Sequence, residues 1–423
     1  MGLVVSSCRY VPRAGCAPLP LILCRRDGER GPYQSCRTNR GKQRGYPLLN
    51  TPFASPQPVI GLGAELKATV CRLSGSEADL SEPFDDLRDA SVYRRYRQRL
   101  SQAIRSAGQP PPVIAHDLHP AYLTTGLARD LELSTIGVQH HHAHAVSCAA
   151  AAGWDRAMLA VVCDGTGYGT DGASWGGELL FCDDGAFERE AHLRYCPLPG
   201  GDAAAIETWR PGISLLREAF GEAWRELDLP LLREVNGDRL AVAAHMLSRN
   251  VNCPRSSSLG RLFDGVAAIM GLRLANTFPA EAAIALQQAA ESNLSRVVEP
   301  YDYLLDASGL PANIDLAPMI RQIAQDVING GDFGRIAARF HETVCVAMTA
   351  AVVDAASRRH ADVVALSGGC FLNGILQSRL DALLRQEGLR PLSASAVGPG
   401  DEGVSLGQAV VAAQRLRSMS PCV

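Results

Sequence analysis

Residues 158–172 read Met-Leu-Ala-Val-Val-Cys-Asp-Gly-Thr-Gly-Tyr-Gly-Thr-Asp-Gly. Met158–Cys163 is an unbroken apolar run of strand length, and the glycines that follow end it. Gly177–Phe181 and Glu188–Tyr195 then continue as a small antiparallel meander. The plain reading of Cys163–Gly172 is a glycine-rich hairpin turn. The sharper one is an anion site, with the backbone N–H groups of Gly165, Gly167 and Gly169 around a phosphate and Asp164 at the strand end for a divalent metal. The spacing fits neither the P-loop nor GxGxxG.

Upstream the same plan occurs once before. Val59–Leu62 and Thr69–Leu73 read as strands of a hairpin around Gly61, Gly63, Glu65 and Lys67. Val92, Tyr96, Leu100, Ala103 and Ile104 mark a helix over Val92–Ala107, which the triplet Pro110, Pro111 and Pro112 stops. Strand Val113–Ala115, helix Ala121–Leu131, strand Thr135–Val138 and a helix over Ala143–Ala152 follow. This alternation predicts an α/β protein with partly parallel strands, and two βββα-like halves starting near Val59 and Met158 predict a duplicated two-lobe fold.

Downstream, residues 203–330 read as a helical insertion, including Arg239–Ser248, Leu259–Met270 and Glu281–Glu291. Helix Ile336–Arg358, strand Val363–Leu366, helix Leu372–Arg385 and helix Gly403–Arg417 complete the chain. The expected division is a basic tail over 1–45, a first lobe over 46–157 and a second lobe over 158–423 that includes the C-terminal helices. A chain of 423 residues exceeds the size at which one core stops growing.

The tail carries eight arginines and Lys42 against Asp27 and Glu29, with four prolines and Cys8, Cys16, Cys24 and Cys36. It reads as poorly ordered, and its cysteines lack the CxxC spacing of a zinc site. The other nine cysteines are scattered through apolar segments, the usage of buried thiols in a reducing cytoplasm. No run approaches the roughly 18 uninterrupted apolar residues of a membrane span. A net charge of −3 argues against a protein that coats nucleic acid. Lys67 is the only lysine beyond the tail, where arginine otherwise supplies the positive charge, and its compact ammonium suits a phosphate or carbonyl.

Three further stretches carry chemistry. Gln139–His144 reads QHHHAH, and on a helix His140 and His144 stand at i and i+4, one face and a spacing for one metal ion. His141 and His142 point elsewhere, as supporting or phosphate-contacting groups. Leu366–Asn373 reads LSGGCFLN, where Gly368 and Gly369 between strand and helix let a ligand approach Ser367 and Asn373. Asp401 precedes the last helix, as an N-cap or as a further metal carboxylate.

These stretches, with GLGAELKATVC from Gly61, HDLHPAYLTT from His116, LPGGD from Leu198, GRLFDGVAAIMG from Gly260 and DEGVSLGQA from Asp401, closely resemble the C-terminal half of the HypF carbamoyltransferase family of nickel-iron hydrogenase maturation factors. The likeness covers roughly Gln43 to Leu416. A more distant one reaches the transferase that makes threonylcarbamoyladenosine in tRNA and the antibiotic O-carbamoyltransferases.

The resemblance implies a two-lobed actin and sugar-kinase type fold with nucleotide and metal in the cleft. It implies a divalent metal, iron or zinc, on His140, His144, Asp164 and Asp401, with ATP or its AMP moiety at Asp264, the 165–169 glycines and Ser367–Asn373. Lys67 and His141 become the candidate catalytic residues. The implied reaction takes carbamoyl phosphate through carbamoyl adenylate to the C-terminal cysteine of HypE. A small-molecule or tRNA-type carbamoyltransferase and a non-catalytic docking remnant are the alternatives.

Departures accompany it. Residues 1–42 match none of the acylphosphatase-like, zinc-finger or YrdC-type modules of complete HypF chains, so the expectation is a truncated form served by a separate YrdC-like domain or a longer homologue. Phe278-Pro279-Ala280 stands where relatives usually have Tyr-Glu-Gly, and Glu402 where they often have Gly.

Overall fold

The structure, a computed structural model, describes residues 48–291, 293, 298–393 and 396–419. The expected tail over 1–45 lies outside these residues. In the first half run β1 (Leu49–Gly61), β2 (Cys71–Leu80), α1 (Ala90–Ala107), β3 (Val113–Asp117), α2 (Leu123–Asp130), β4 (Thr135–Val138) and α3 (His140–Ala151). The second half opens with β5 (Met158–Tyr168), β6 (Ser174–Asp183), β7 (Ala186–Leu193) and β8 (Cys196–Pro197). After them come α4 (Ala203–Ile206), α5 (Trp209–Phe220), α6 (Pro230–Glu234), α7 (Gly237–Arg249), β9 (Arg255–Ser256), α8 (Leu259–Ile269) and α9 (Glu281–Glu291). The chain ends through β10 (Leu304–Asp306), β11 (Ala312–Asp315), α10 (Ala317–Ile328), α11 (Phe333–Arg359), β12 (Val363–Ser367), α12 (Gly374–Gln386), β13 (Arg390–Ser393) and α13 (Val404–Met419).

The first sheet has the order β2-β1-β3-β4, and the centre of the second repeats it as β6-β5-β12-β13. In each, the first two strands in sequence are antiparallel and the next two join parallel. This is the duplicated, two-lobed α/β architecture that the strand and helix alternation predicted, of the actin and sugar-kinase type that the family resemblance implied.

Strand β5 shows why the two lobes share a core. Its side chains alternate, Leu159, Val161 and Cys163 toward one apolar cluster and Met158, Ala160 and Val162 toward another. Both faces are apolar, so both must be covered. The first cluster lies under α5, α8, α10 and α11; the second holds α3 and α13 against both sheets. On the far side of the first sheet, Ile60, Leu62 and Ile114 pack with Tyr96 and Leu100 of α1. Asp89 starts α1 by accepting the N–H groups of Ser91 and Val92.

Three expectations are corrected. Helix α13, expected with the second lobe, packs on α3 and on β1, β2 and β3, because its buried side is apolar along nearly its whole length and the first sheet supplies the uncovered face. The 203–330 stretch is mostly helical, as expected, with three short strands: β9 joins β6, and β10 and β11 extend the second sheet beyond β7. Strands β1 and β2 are longer than the hairpin read around Lys67. The glycine stretch is strand rather than open loop, since β5 stays paired with β6 as far as Tyr168 and only residues 164–166 bulge out of register. Helix α11 has the length and hydropathy of a membrane span, but most of that window is buried inside the protein.

Candidate metal centre

Three chain segments meet where the two lobes join. His140 and His144 come from the first turns of α3, Asp164 from the bulge of β5, and Asp401 from the turn that enters α13. Their ligand atoms all lie within 4.8 Å of one another. His140 Nε2 is 3.4 Å from Asp164 Oδ2 and 3.8 Å from Asp401 Oδ1, and His144 Nε2 is 3.7 and 3.4 Å from the same oxygens. Both imidazoles and Asp164 are buried, while Asp401 is partly exposed at the mouth. Among the described residues neither Nε2 has a hydrogen-bond partner of good geometry. Two orphaned imidazole nitrogens facing two carboxylates, all within one ion's reach, fit a four-ligand divalent cation site.

The surroundings aim these ligands. His140 Nδ1 lies 2.8 Å from Asp117 Oδ2, so the ring proton is held on Nδ1 and the Nε2 lone pair faces the centre. Gln139 caps α3 by accepting the His142 N–H and also donates to the Tyr168 carbonyl. Asp164 Oδ1 accepts the Gly369 N–H at 3.1 Å, which leaves Oδ2 for the centre and ties the 164 bulge to the 367–369 loop. Gly368 donates in turn to the Pro399 carbonyl, two residues before Asp401.

Electrostatics within the quartet run the same way. Burial alone would lower the His140 pKa, but Asp117, Asp164 and Asp401 outweigh it and hold it well above the ordinary value. His144 is raised by Asp164 and Asp401 against the same burial. Burial opposes ionisation of Asp164, yet the two histidines keep its carboxyl well below the usual range. The centre is built to be negative and to hold positive charge.

The other expected residues divide. Gly165 and Gly167 lie in β5 and Gly169 directly follows it; a Cβ on Gly167 would overlap the His141 ring and one on Gly169 the Trp175 indole, while Gly165 has room for one. Gly368 has φ +104° and abuts the Cys163 carbonyl, so no side chain fits there. Ser367 is buried beside Pro399. Asn373 is an N-cap, its Oδ1 accepting the N–H groups of Ile375 and Leu376 while Nδ2 meets His341 Nε2. Asp264 is buried and paired with Arg261 at 2.8 Å, so a ribose would have to displace that guanidinium to reach it.

Neither expected catalytic residue joins the quartet. His141 is fully buried between Gly167 and Trp175, and burial together with the neighbouring His140 charge pushes its pKa well below the ordinary value. A neutral, enclosed ring there supports the glycine strand. His142 is turned toward Phe187 and burial lowers it to about 3. Lys67 is exposed with φ +49°, and among the described residues its ammonium has no ion pair or hydrogen bond.

Sequence reasoning missed the supports. Asp117 ends β3 as Asp164 follows the apolar run of β5, and that shared position was the available signal. Glu178 is fully buried, accepting the Gly176 and Gly177 N–H groups, Arg189 Nε at 2.6 Å and the Ser257 hydroxyl. The next residue, Ser258, donates to the Gly165 carbonyl at 2.6 Å. This network fixes the bulge from below.

Known proteins are similar to this chain in sequence and in fold. Residues 160–408 match the family model described as the second subdomain of the carbamoyltransferase Kae1-like domain, and residues 54–151 match the HypF Kae1-like domain. A carbamoyltransferase HypF homolog of Cupriavidus necator is 38% identical over 370 residues, 85% of this chain and 92% of that protein. Carbamoyltransferase HypF of Rhizobium leguminosarum bv. viciae is 33% identical, over 84% of this chain and 45% of its own. Full-length HypF in its phosphate- and nucleotide-bound form superposes with a TM-score of 0.81 at 34% identity, covering 87% of this chain and 47% of that one. HypF of T. kodakarensis gives 0.79 at 26% identity, over 88% and 49%. The chain thus spans nearly all of one relative and about half the length of the others.

Proposed function

The chain belongs to the HypF carbamoyltransferase family, and from that premise we propose that His140, His144, Asp164 and Asp401 hold a divalent metal ion at which a carbamoyl group is activated and transferred. The observation that carries this reading is the convergence of four ligand-type side chains with two imidazole nitrogens left without partners in a buried site. When bound, such an ion supplies Lewis-acid polarisation of a carbamoyl or phosphate oxygen.

The chain's own groups do the positioning. Asp117 keeps the proton of His140 on Nδ1, and the Gly369 N–H orients Asp164, so neither ligand reorganises when substrate arrives. The 367–369 loop, in contact with the Asp164 bulge, is the proposed approach for nucleotide, consistent with the nucleotide-bound state of the HypF relative. Carbamoyl phosphate supplies the carbamoyl group: water displaces its phosphate, and an oxygen of the resulting carbamate attacks the α-phosphorus of ATP, so that carbamoyl adenylate forms and pyrophosphate leaves, a step assigned to the separate YrdC-like domain or longer homologue. The acceptor is the C-terminal cysteine of HypE: its thiolate attacks the carbamoyl carbon, a C–S bond forms, the carbon–phosphate oxygen bond breaks and AMP leaves with the electron pair.

The test is turnover of the purified, metal-loaded chain, supplemented with a YrdC-type domain, with carbamoyl phosphate, ATP and HypE, read as mass added to the HypE C-terminal peptide. Carbamoylation that is lost in a His140→Ala, His144→Ala variant is expected. Carbamoylation that persists at the full rate in that variant would move the chemistry away from this centre.

A further inference from the structure

A second charged cluster lies behind the centre, between β6, β7 and the residues that enter α8, and none of its members is among the four ligands. Arg189 of β7 is its hub. Its Nε donates to Glu178 Oε2 at 2.6 Å, Nη1 to the Tyr195 hydroxyl at 2.7 Å and Nη2 to the Ser257 hydroxyl at 3.3 Å. The guanidinium also lies over the Trp175 ring, 3.9 Å from its centroid. Tyr195 and Trp175 in turn both donate to Asp171, in the turn between β5 and β6. The Glu178 side chain is wholly buried and that of Arg189 nearly so. A carboxylate in such a place needs a charged and well-placed partner.

Two arms run from this hub to the ligands. In the first, Glu178 Oε1 accepts the N–H groups of Gly176 and Gly177. Gly176 lies so close to Asp164 that a Cβ on it would come within 2.5 Å of the Asp164 carbonyl oxygen. Ser257, bonded to both Glu178 and Arg189, precedes Ser258, whose hydroxyl donates to the Asp164 and Gly165 carbonyls at 3.2 and 2.6 Å. The backbone that carries the Asp164 side chain is thus gripped from both sides. In the second arm, Trp175 packs against His141, with ring centroids 6.0 Å apart, and His141 adjoins the ligand His140 in α3.

We infer that Arg189 is a positioning residue of the metal centre: held between Glu178 and Trp175, it fixes the Asp164 carboxylate relative to the two imidazoles. The inference rests on the proposed function, which puts a metal ion on that quartet. The place calls for a guanidinium. Its planar fork reaches Glu178, Tyr195 and Ser257 while its face covers the indole, and a lysine ammonium cannot do both. Ligands hold an ion tightly only while the groups behind them keep them in place.

The experiment loads the full chain with cobalt(II) and reads its affinity by competition with a chelator and its visible absorption, which reports ligand geometry. Arg189→Lys keeps the charge and loses the fork. The double variant Glu178→Leu, Arg189→Met replaces the buried pair with apolar side chains, an exchange that often leaves stability intact. Both should bind cobalt roughly tenfold more weakly, with the visible band shifted. Arg189→Lys reads the same outcomes should the double variant not fold. Affinity within about twofold of the unaltered protein, with an unchanged band, would overturn the inference and leave the proposed function standing. Weaker binding with an unchanged band would assign the loss to general destabilisation and overturn it too. Failure of the unaltered protein to bind cobalt would overturn the metal site itself.

Discussion

Asp117 Oδ2 stands 2.8 Å from His140 Nδ1, and both side chains are almost wholly buried. The pair joins the end of β3 to the start of α3, so the first sheet sets the orientation of a ligand whose partners Asp164 and Asp401 come from the other half of the chain. A carboxylate in this position fixes the imidazole tautomer and raises its basicity toward a cation.

Replacing that carboxylate should weaken the centre without emptying it. Asp117→Asn keeps the shape and one acceptor but removes the charge, and metal affinity should fall about 10- to 100-fold. Competition against a chelator of known affinity measures this. An unchanged affinity would reduce the pair to a packing contact.

Helices α3 and α13 approach closely because Gly407 faces the Ala143 carbonyl, where a Cβ would overlap backbone that cannot move aside. Gly407→Ala should destabilise the protein by roughly 3 kcal/mol, the upper range for overpacking, and shift Asp401 away from the histidines. Denaturant unfolding, with metal content of the folded fraction, checks both effects.

Ala280 has φ +62°, a left-handed conformation that costs an L-residue with a Cβ roughly 1–2 kcal/mol. Ala280→Gly removes the conflict but loosens the unfolded chain, so the net gain should be about 1 kcal/mol. A fall in the unfolding midpoint would show that the alanine methyl is needed where it sits.

Burial lowers the His341 pKa to about 4, against a backbone acceptor at Ala337 that raises it. An unfolded histidine titrates near 6.5. Between those values the unfolded chain binds a proton that the folded chain refuses, so this stability is intact above about pH 6.5 and is lost as pH falls toward 4. By pH 5 the loss from this residue should be on the order of 2 kcal/mol. Unfolding free energies at pH 7 and 5 should differ less in His341→Gln than in the unaltered protein; equal differences would clear His341 of the effect.

What the sequence made legible was local. The i,i+4 spacing of His140 and His144 needs only a helix to become a ligand pair, and the apolar alternation of β5 needs only neighbours on both faces. What stayed hidden depended on distant partners. The Arg261–Asp264 pair is the exception, an i,i+3 contact within α8 that the sequence already offered. The glycines at 165, 167 and 169 looked like a loop, yet strand pairing continues to Tyr168, and the small size of Gly167 and Gly169 makes room for His141 and Trp175. Nothing near residues 404–419 announces that their helix belongs against a sheet begun at Leu49.

The central claim is that these four side chains form one metal site, and metal stoichiometry tests it most directly. Elemental analysis of the purified chain after loading and desalting should give one divalent ion per chain. Asp401→Ala should hold a small fraction of that, and His140→Ala, His144→Ala close to none. Equal metal content in all three proteins would contradict the account.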